Sequence, residues 1–576
     1  MFVFERKIGK HRYRIAAQSI RDPRTGKPVS RQVVLGPADP SPLVDLSRSR
    51  TIGSLRIGDV GALAWVAEQL DVVGHINRAC HASAGARSGP SLGEMALGVA
   101  VQRACAPGAK RDLPALLGAS LPRVSCLPAE SFTGQAFHRL AASATDEELD
   151  AAQLAIARAA VTRFKLSVDV LAYDTTNFDT HIATTTTSML ARRGHAKSKR
   201  SDLRVVGLGI LASETGHVPL LHRTYPGNSS DQAVLASCLT ALGNLHDALG
   251  AAQGRPKAER TVVRDGGFWS EQLELDLAAV GYFSVISLPL GHGASARALE
   301  YAAKRGSMKP LVGALRGVRA ARLVEQVGEL TRTLVVVESE ELLRGQKRGI
   351  AGALRKAQNE LRKLATRAAA GRIDRNALER RVQQTLAREH LSSFVIARIG
   401  AAGDRLSLEW DVDHARRREL ERTRLGRRVI STNRDAWSTE RIILAFRGQW
   451  NVEELFRRAK KGGVAPWGPS FQWTDASLRL HTFATVMGLM LVSLARVALR
   501  SKKSARGMMQ DLAAIEATLL RTTTGKMGRR PTVMVAPELT SAQRRAVKVF
   551  ELDKWLPALS STTATARPKA ENTRAA

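Results

Sequence analysis

Three carboxylates stand in contexts where chemistry on phosphates is possible. They are Asp174 in YDTTNF (173–178), Asp265 in VVRDGGFWS (262–270) and Glu453 in FRGQWNVEELFRRAK (446–460). Clustered carboxylates repel one another unless a cation sits between them. Hard oxygen donors of this kind suit Mg²⁺ or Mn²⁺, which keep open positions for water and phosphate oxygens. A pair of such ions about 4 Å apart activates a water or a 3′-hydroxyl and stabilises the leaving oxygen in phosphoryl transfer. Singly, each Asp is a weak signal, because an Asp at a strand end more often serves as a turn or cap residue. The trio gains weight from the elements that must carry it.

At Lys165 the hydrophobic period changes from 3.6 to 2, and KLSVDVLAYDTTNFDT reads as a strand ending at Asp174. A hairpin follows in DLRVVGLGILASETGHVPLLHRTY, with its turn at Glu214-Thr215-Gly216. Next come a helix over about 231–249, a strand in RTVVRDGGFWS with Asp265 at its exit, a helix over 270–280 and the strand YFSVISL. Three strands, helix, strand, helix, strand is the order of an α/β, RNase H-like domain, in which the first and fourth strands are neighbours. The third carboxylate belongs to a helix predicted over Trp437–Lys461. There Val452, Leu455, Phe456 and Ala459 form a buried stripe. Phe446, Gln449, Glu453 and Lys460 fall on a second stripe beside it, with Phe446, Glu453 and Lys460 stacked at seven-residue intervals. Glu454 is turned about 100° away, towards solvent.

The chain has 576 residues, too many for one core. Its 87 Lys and Arg against 53 Asp and Glu leave a net charge of +34, which points to a polyanionic partner, nucleic acid before others. Cys80, Cys105, Cys126 and Cys238 form no CxxC pair and have no His at ligand spacing, so they read as buried thiols in a reducing compartment. The charged N-terminus has no apolar stretch of a signal peptide, and the apolar run Phe483–Ala498 is short for a membrane span and contains Arg496. A cytoplasmic protein without a membrane partner is expected.

The expected organisation is a strand and turn region over 1–60, with an edge strand at 31–36 and a breaker in PADPSP. A helical region with basic connectors follows over 61–164, either a DNA-binding module or a plain helical scaffold. The first part of the core covers 165–288, an inserted basic module 289–436, and the final core helices 437–500. A basic C-terminal region, 501–576, ends in a tail from Ser561 too poor in apolar residues to fold.

The residues that carry this reading also resemble, over about residues 30–500, the DDE transposases of bacterial insertion sequences. The likeness is to the group with a long insertion before the final Glu and a Tyr-Arg-Glu-Lys signature around it. Beside the three carboxylate motifs, GHAKSKRSDL (194–203), PGNSSD (226–231), WTDASLRLH (473–481) and RACAPGAKRDLPALLG (103–118) match in order. In the signature, Phe446 stands for Tyr and Gln449 for Arg, while Glu453 and Lys460 match. The resemblance implies catalysis and metal binding by Asp174, Asp265 and Glu453, with Mg²⁺ or Mn²⁺ as cofactor. It implies DNA contacts by Lys460, Lys197, Lys199, Arg200, Arg447 and Gln449. The partners would be double-stranded DNA, as terminal inverted repeats and target, and a second copy of the chain in a synaptic dimer. Two alternatives stay open: a non-catalytic DNA-binding protein of transposase descent, and an RNase H-like nuclease without strand transfer.

Overall fold

Strands β1 (Phe2–Ile8), β2 (His11–Arg21) and β3 (Pro28–Pro37) open the chain as an antiparallel sheet in that order. The computed structural model describes residues 1–21, 28–38, 49–80, 89–183, 185–252, 260–304, 306–402, 405–460, 462–522 and 532–556. The breaker expected at 37–42 and the tail from Ser561 lie wholly or mostly outside these residues. The chain divides into two units, Met1–Arg260 with Gly448–Ala576, and Thr261–Arg447.

In the first unit, β4 (Ser49–Arg56) leads to α1 (Gly58–Gln69), α2 (Val72–Ala79), α3 (Leu92–Cys105), α4 (Leu113–Gly118), α5 (Gly134–Ala142) and α6 (Asp146–Phe164). Ser91 with Glu94, and Thr145 with Glu148, form reciprocal capping boxes that start α3 and α6. Glu94 does more than cap. Its buried carboxylate also accepts hydrogen bonds from Ser125 Oγ (2.6 Å), Gln18 Nε2 (3.2 Å) and Arg31 Nη1 (3.2 Å). The N-terminal sheet and the helices thus share one satisfied polar hub. Beyond α6, β5 (Val170–Thr180), β6 (Arg204–Ser213) and β7 (Pro219–Pro226) pair antiparallel in that order, and α7 (Asp231–Ala252) follows.

The second unit contains β8 (Arg260–Arg264), α8 (Glu271–Ala279), β9 (Tyr282–Leu288), α9 (Gly293–Ala303), β10 (Lys309–Pro310), β11 (Val318–Val327) and β12 (Leu330–Ser339). It continues through α10 (Glu340–Ala369), α11 (Arg375–Leu386), β13 (Val395–Ala402), β14 (Arg405–Val412), α12 (His414–Thr423), β15 (Arg427–Thr432) and α13 (Thr439–Arg447). Its strands run in the order β10-β11-β12-β15-β9-β8. Residues 289–436, expected as one inserted module, therefore include strands that extend the sheet from β9, because β15 pairs with both β9 and β12. The part with a core of its own is narrower. Leu361, Leu364, Leu378, Val382, Phe394 and Leu420 pack together from α10, α11, α12 and their connections, beside the β13–β14 hairpin.

The chain returns to the first unit through α14 (Trp450–Ala459), α15 (Asp475–Ala498), α16 (Ala505–Ala513), β16 (Glu516–Thr522), β17 (Thr532–Val535) and α17 (Ser541–Val549). β16 pairs with β17 on one side and with β4 on the other. α15 is long and apolar enough to cross a membrane, but 89% of that apolar window is buried inside the fold. It packs against α1, α3, α5, α6 and β7, so the N-terminal helices share a core with it.

His222 on β7 is sealed into this core, its backbone N–H donating to Gln153 Oε1 (2.7 Å), its carbonyl accepting from Gln153 Nε2 (3.3 Å), and its ring facing Phe483 at 5.9 Å. Burial, and secondarily Arg223, pushes its pKa down to about 3. The unfolded imidazole protonates near pH 6.5, whereas the folded one stays neutral until about 3. Stability is therefore full above pH 6.5 and falls between these values, by up to about 1.4 kcal/mol per pH unit. His222→Gln removes this titration. In urea melts, the stability lost between pH 7 and pH 5 should shrink by about 2 kcal/mol relative to wild type.

Candidate functional site

β5 continues through to Thr180, so Asp174 lies mid-strand and not at the strand end expected from the sequence. The extension follows from an alternation, Thr176 and Phe178 buried and Asn177 and Asp179 half-buried, in residues that pair with β6. Asp174 is half-buried, lies opposite Ile210, and accepts the Thr175 backbone N–H at Oδ1 (2.7 Å). On β6, a Cβ at Gly209 would come within 2.7 Å of the Tyr173 hydroxyl, so this position needs glycine for the tyrosine to lie there.

The single helix expected over 437–461 is two helices, α13 and α14, parted at Gly448–Gln449. Glycine weakens a helix interior, and the break ends the common register. The stack of Phe446, Glu453 and Lys460 therefore no longer follows, and Lys460 is the extended C-cap of α14. Within α14, Val452, Leu455, Phe456 and Ala459 are buried, and the helix packs on β5 and β6.

The two glutamates differ from the exposures that the sequence suggests. Glu453 is exposed, and its carboxylate has no hydrogen-bond or ion-pair partner among the described residues. Glu454 is the half-buried one, paired with Arg457 (3.0 Å) and with Arg458 (3.2 Å). Arg458 has a side chain only 4% exposed and donates to Ser493 Oγ of α15. A buried guanidinium needs a carboxylate, and Glu454 supplies it.

Gln449 is 4% exposed, and neither its Oε1 nor its Nε2 has a partner among the described residues. The DNA contact expected of it is not open to its amide in this conformation, because the side chain faces inward. Arg447 and Lys460 are exposed. Trp450 is 51% exposed, with His217 edge-on at 5.3 Å and the Arg457 guanidinium 5.5 Å from its ring. Trp269 is half-buried against His292.

The basic loop 194–203 is tied to β5. Lys197 Nζ donates to the carbonyl of Thr175, and its backbone N–H donates to Asn177 Oδ1 (2.9 Å). Ser198 Oγ donates to Asp179 (2.7 Å). Lys199 is exposed, and Arg200 is paired with Asp202, whose carboxyl it holds down at about 2. A Cβ on Gly194 would lie 2.0 Å from the carbonyl oxygen of Gly227, so the 194–203 and 226–231 motifs meet backbone to backbone.

Asp265 belongs to the second unit and is exposed at the exit of β8, where it receives Ser287 Oγ at 3.5 Å. Immediately before it, Arg264 is fully buried and paired with Glu274, which also binds Arg332 (3.1 Å). Ser284 Oγ, which accepts from Arg264 (2.8 Å), donates to Glu274 (3.3 Å). Sequence reasoning missed this triad; its one signal was an Arg closing the apolar run RTVVR. It also gave no role to Asp475, whose carboxylate accepts from Ser188 Oγ and from the backbone N–H groups of Met189 (2.8 Å) and Leu190 (3.3 Å).

Carboxylate oxygens are donors that suit a hard divalent cation, and the Glu453 carboxylate has no hydrogen-bond or ion-pair partner among the described residues. Among the described residues, no group of three or more His, Cys, Asp or Glu is already gathered for a metal. Cys80, Cys105 and Cys126 form no disulfide among the described residues, and burial pushes the Cys80 thiol up to about 12. The side chain of Cys238 lies outside the described residues.

No family model and no curated protein matches this chain. Among solved structures it is similar to a piggyBac transposase in a cryo-EM synaptic complex with hairpin DNA. That likeness has a TM-score of 0.35 and 11% identity, over 80% of this chain and 81% of the other. Similarity at that level does not place the chain in a family.

Proposed function

We propose that this protein is a DDE-type transposase on an RNase H-like core, acting in the cytoplasm on the ends of a bacterial insertion sequence and joining them to target DNA. The observation that carries the reading is Glu453: an exposed carboxylate, without a partner among the described residues, on α14, the helix packed against the strand that bears Asp174, within the motif that resembles these enzymes. Asp174, Asp265 and Glu453 would hold Mg²⁺ or Mn²⁺, which when bound supplies an activated water or 3′-hydroxyl and stabilises the leaving oxygen. Lys197, fixed to the Thr175 carbonyl, keeps a positive charge beside the Asp174 strand, where an incoming phosphate needs neutralising. Lys199, Arg200, Arg447 and Lys460 are exposed cations for backbone contacts, and a homodimer would bring two terminal repeats together.

A second reading, a DNA-binding protein that does not cut, draws support from the inward-facing Gln449 and from Phe446 in the Tyr position. Cleavage of a labelled duplex carrying the flanking ends of the gene, with Mg²⁺ or with EDTA, separates the two. Metal-dependent nicking at the end supports the transposase; tight binding without nicking supports the second reading. On either reading DNA affinity is steeply salt-dependent. If the protein neutralises six to ten phosphates, affinity falls by about 10³ to 10⁵ between 50 and 200 mM salt. A flat salt dependence in filter binding removes nucleic acid as the partner.

A further inference from the structure

Between α14 and α15 the segment Ser470–Trp473 alternates. Ser470 and Gln472 are buried, while Phe471 and Trp473 are 60% and 64% exposed. An extended backbone turns alternate residues outward, but it does not explain why the outward pair is aromatic, since rings gain free energy from burial. Nor do they stand alone. The His181 ring stacks on Phe471 with centroids 5.3 Å apart and planes at 27°, and the His181 backbone N–H donates to the Ser470 carbonyl (3.1 Å). Met189, 61% exposed, is held to the same place because its N–H donates to Asp475, two residues beyond Trp473.

The base under these groups is well fixed. Asp475 accepts from three consecutive residues of the 188–190 turn. Trp467, just upstream, is fully buried and stacked on Phe178 of β5 at 5.0 Å. A cation borders the patch: Arg192 contacts the Met189 sulfur through Nη2 (2.8 Å), and Arg193, next in the chain, is exposed. Exposed aromatic faces on a fixed base, bordered by a guanidinium group in a chain of net charge +34, match the chemistry of unpaired nucleobases on a phosphate backbone. A protein partner of ordinary composition would not need that charge, and an intact duplex keeps its base faces stacked inside.

We infer that the Phe471–His181 pair and Trp473 form a stacking platform for unpaired bases of DNA, with Arg192 and Arg193 on the adjoining phosphates. This rests on the reading of DNA as the partner, and goes beyond it by naming a strand state. A platform of this kind would hold a frayed or displaced strand beside the β5 end of the candidate site.

The test uses the full chain, and fluorescence anisotropy with a single-stranded oligonucleotide of about 16 nucleotides and a duplex of the same sequence. Phe471→Ala and Trp473→Ala should each weaken single-strand binding about tenfold or more, and duplex binding by less than about twofold. Trp473→Phe should restore most of the loss, and 2-aminopurine in the oligonucleotide should be quenched by wild type and not by the double Ala variant. Both side chains are exposed, so circular dichroism and melting should match wild type. Single-strand affinity unchanged in the variants, with duplex binding intact, overturns the platform and leaves the DNA reading standing. Failure of wild type to bind either oligonucleotide overturns both. Variants that lose self-association in sedimentation while keeping single-strand affinity would mean that a second copy of the chain covers the patch, which also overturns the proposal.

Discussion

Glu453→Gln should lower Mg²⁺-dependent cleavage of end-bearing DNA by about a thousandfold while leaving the fold intact. A carboxylate that helps hold a metal stabilises the transition state by several kcal/mol, and each 1.36 kcal/mol is a factor of ten in rate. The same side chain is exposed and without a partner among the described residues, so its loss from the surface changes stability by no more than about 0.5 kcal/mol. Its neighbour makes the contrast. Glu454→Gln leaves the Arg458 guanidinium, whose side chain is 4% exposed, without its counter-charge. It should therefore destabilise by about 2 kcal/mol, with cleavage per folded molecule near that of wild type. Single-turnover cleavage together with thermal melting of both variants reads the two effects apart. Wild-type cleavage by Glu453→Gln would show that Glu453 does not hold the metal. Loss of cleavage by Glu454→Gln alone would assign that role to the other glutamate.

The second large effect is on stability. Glu274 has a side chain 1% exposed and answers two guanidinium groups, Arg264 and Arg332, themselves 0% and 3% exposed. Glu274→Gln keeps the shape of the side chain but leaves two buried positive charges facing each other. Removing one partner of a buried ion pair costs about 3–5 kcal/mol. In a unit of this size that corresponds to a fall of about 10 °C in the melting transition. A triple variant, Arg264→Met, Glu274→Leu and Arg332→Met, should recover most of that loss, because no uncompensated charge remains. Glu274→Gln melting with wild type would mean that the triad does not hold β8 in place. Arg264 directly precedes Asp265, so the single variant should also reduce cleavage, and the triple variant should restore it in part.

Much of what could be read locally was legible. α15 stood out as a buried helix because its apolar residues form one long run, and a helix records its surroundings in its own period. The strand at Asp174 was visible from its alternation, although not its length, because the mostly polar residues Thr175–Thr180 look like a loop until β6 is there to pair with them. The helix break at Gly448–Gln449 was within reach of propensity, since Gly448 interrupts an otherwise even pattern. Other features left no local mark. The pairing of Glu516 with Arg56 joins the ends of the first unit across most of the chain, and no spacing rule reports a partner so distant. The same holds for the strands of residues 289–436, which read as part of a basic insertion until β15 is seen between β9 and β12.

By itself, the sequence determined the candidate chemistry: three carboxylates, a strongly basic chain, and the helices and strands whose periods are written in neighbouring residues. Only the tertiary structure decided which of two adjacent glutamates is exposed and which neutralises a buried arginine. It also decided that Gln449 faces inward and that Phe471 and Trp473 face outward. The reason is physical. Residue type and period are properties of a short stretch, whereas exposure and pairing depend on what distant segments bring to the same place, and burial then sets the energy of every charge found there.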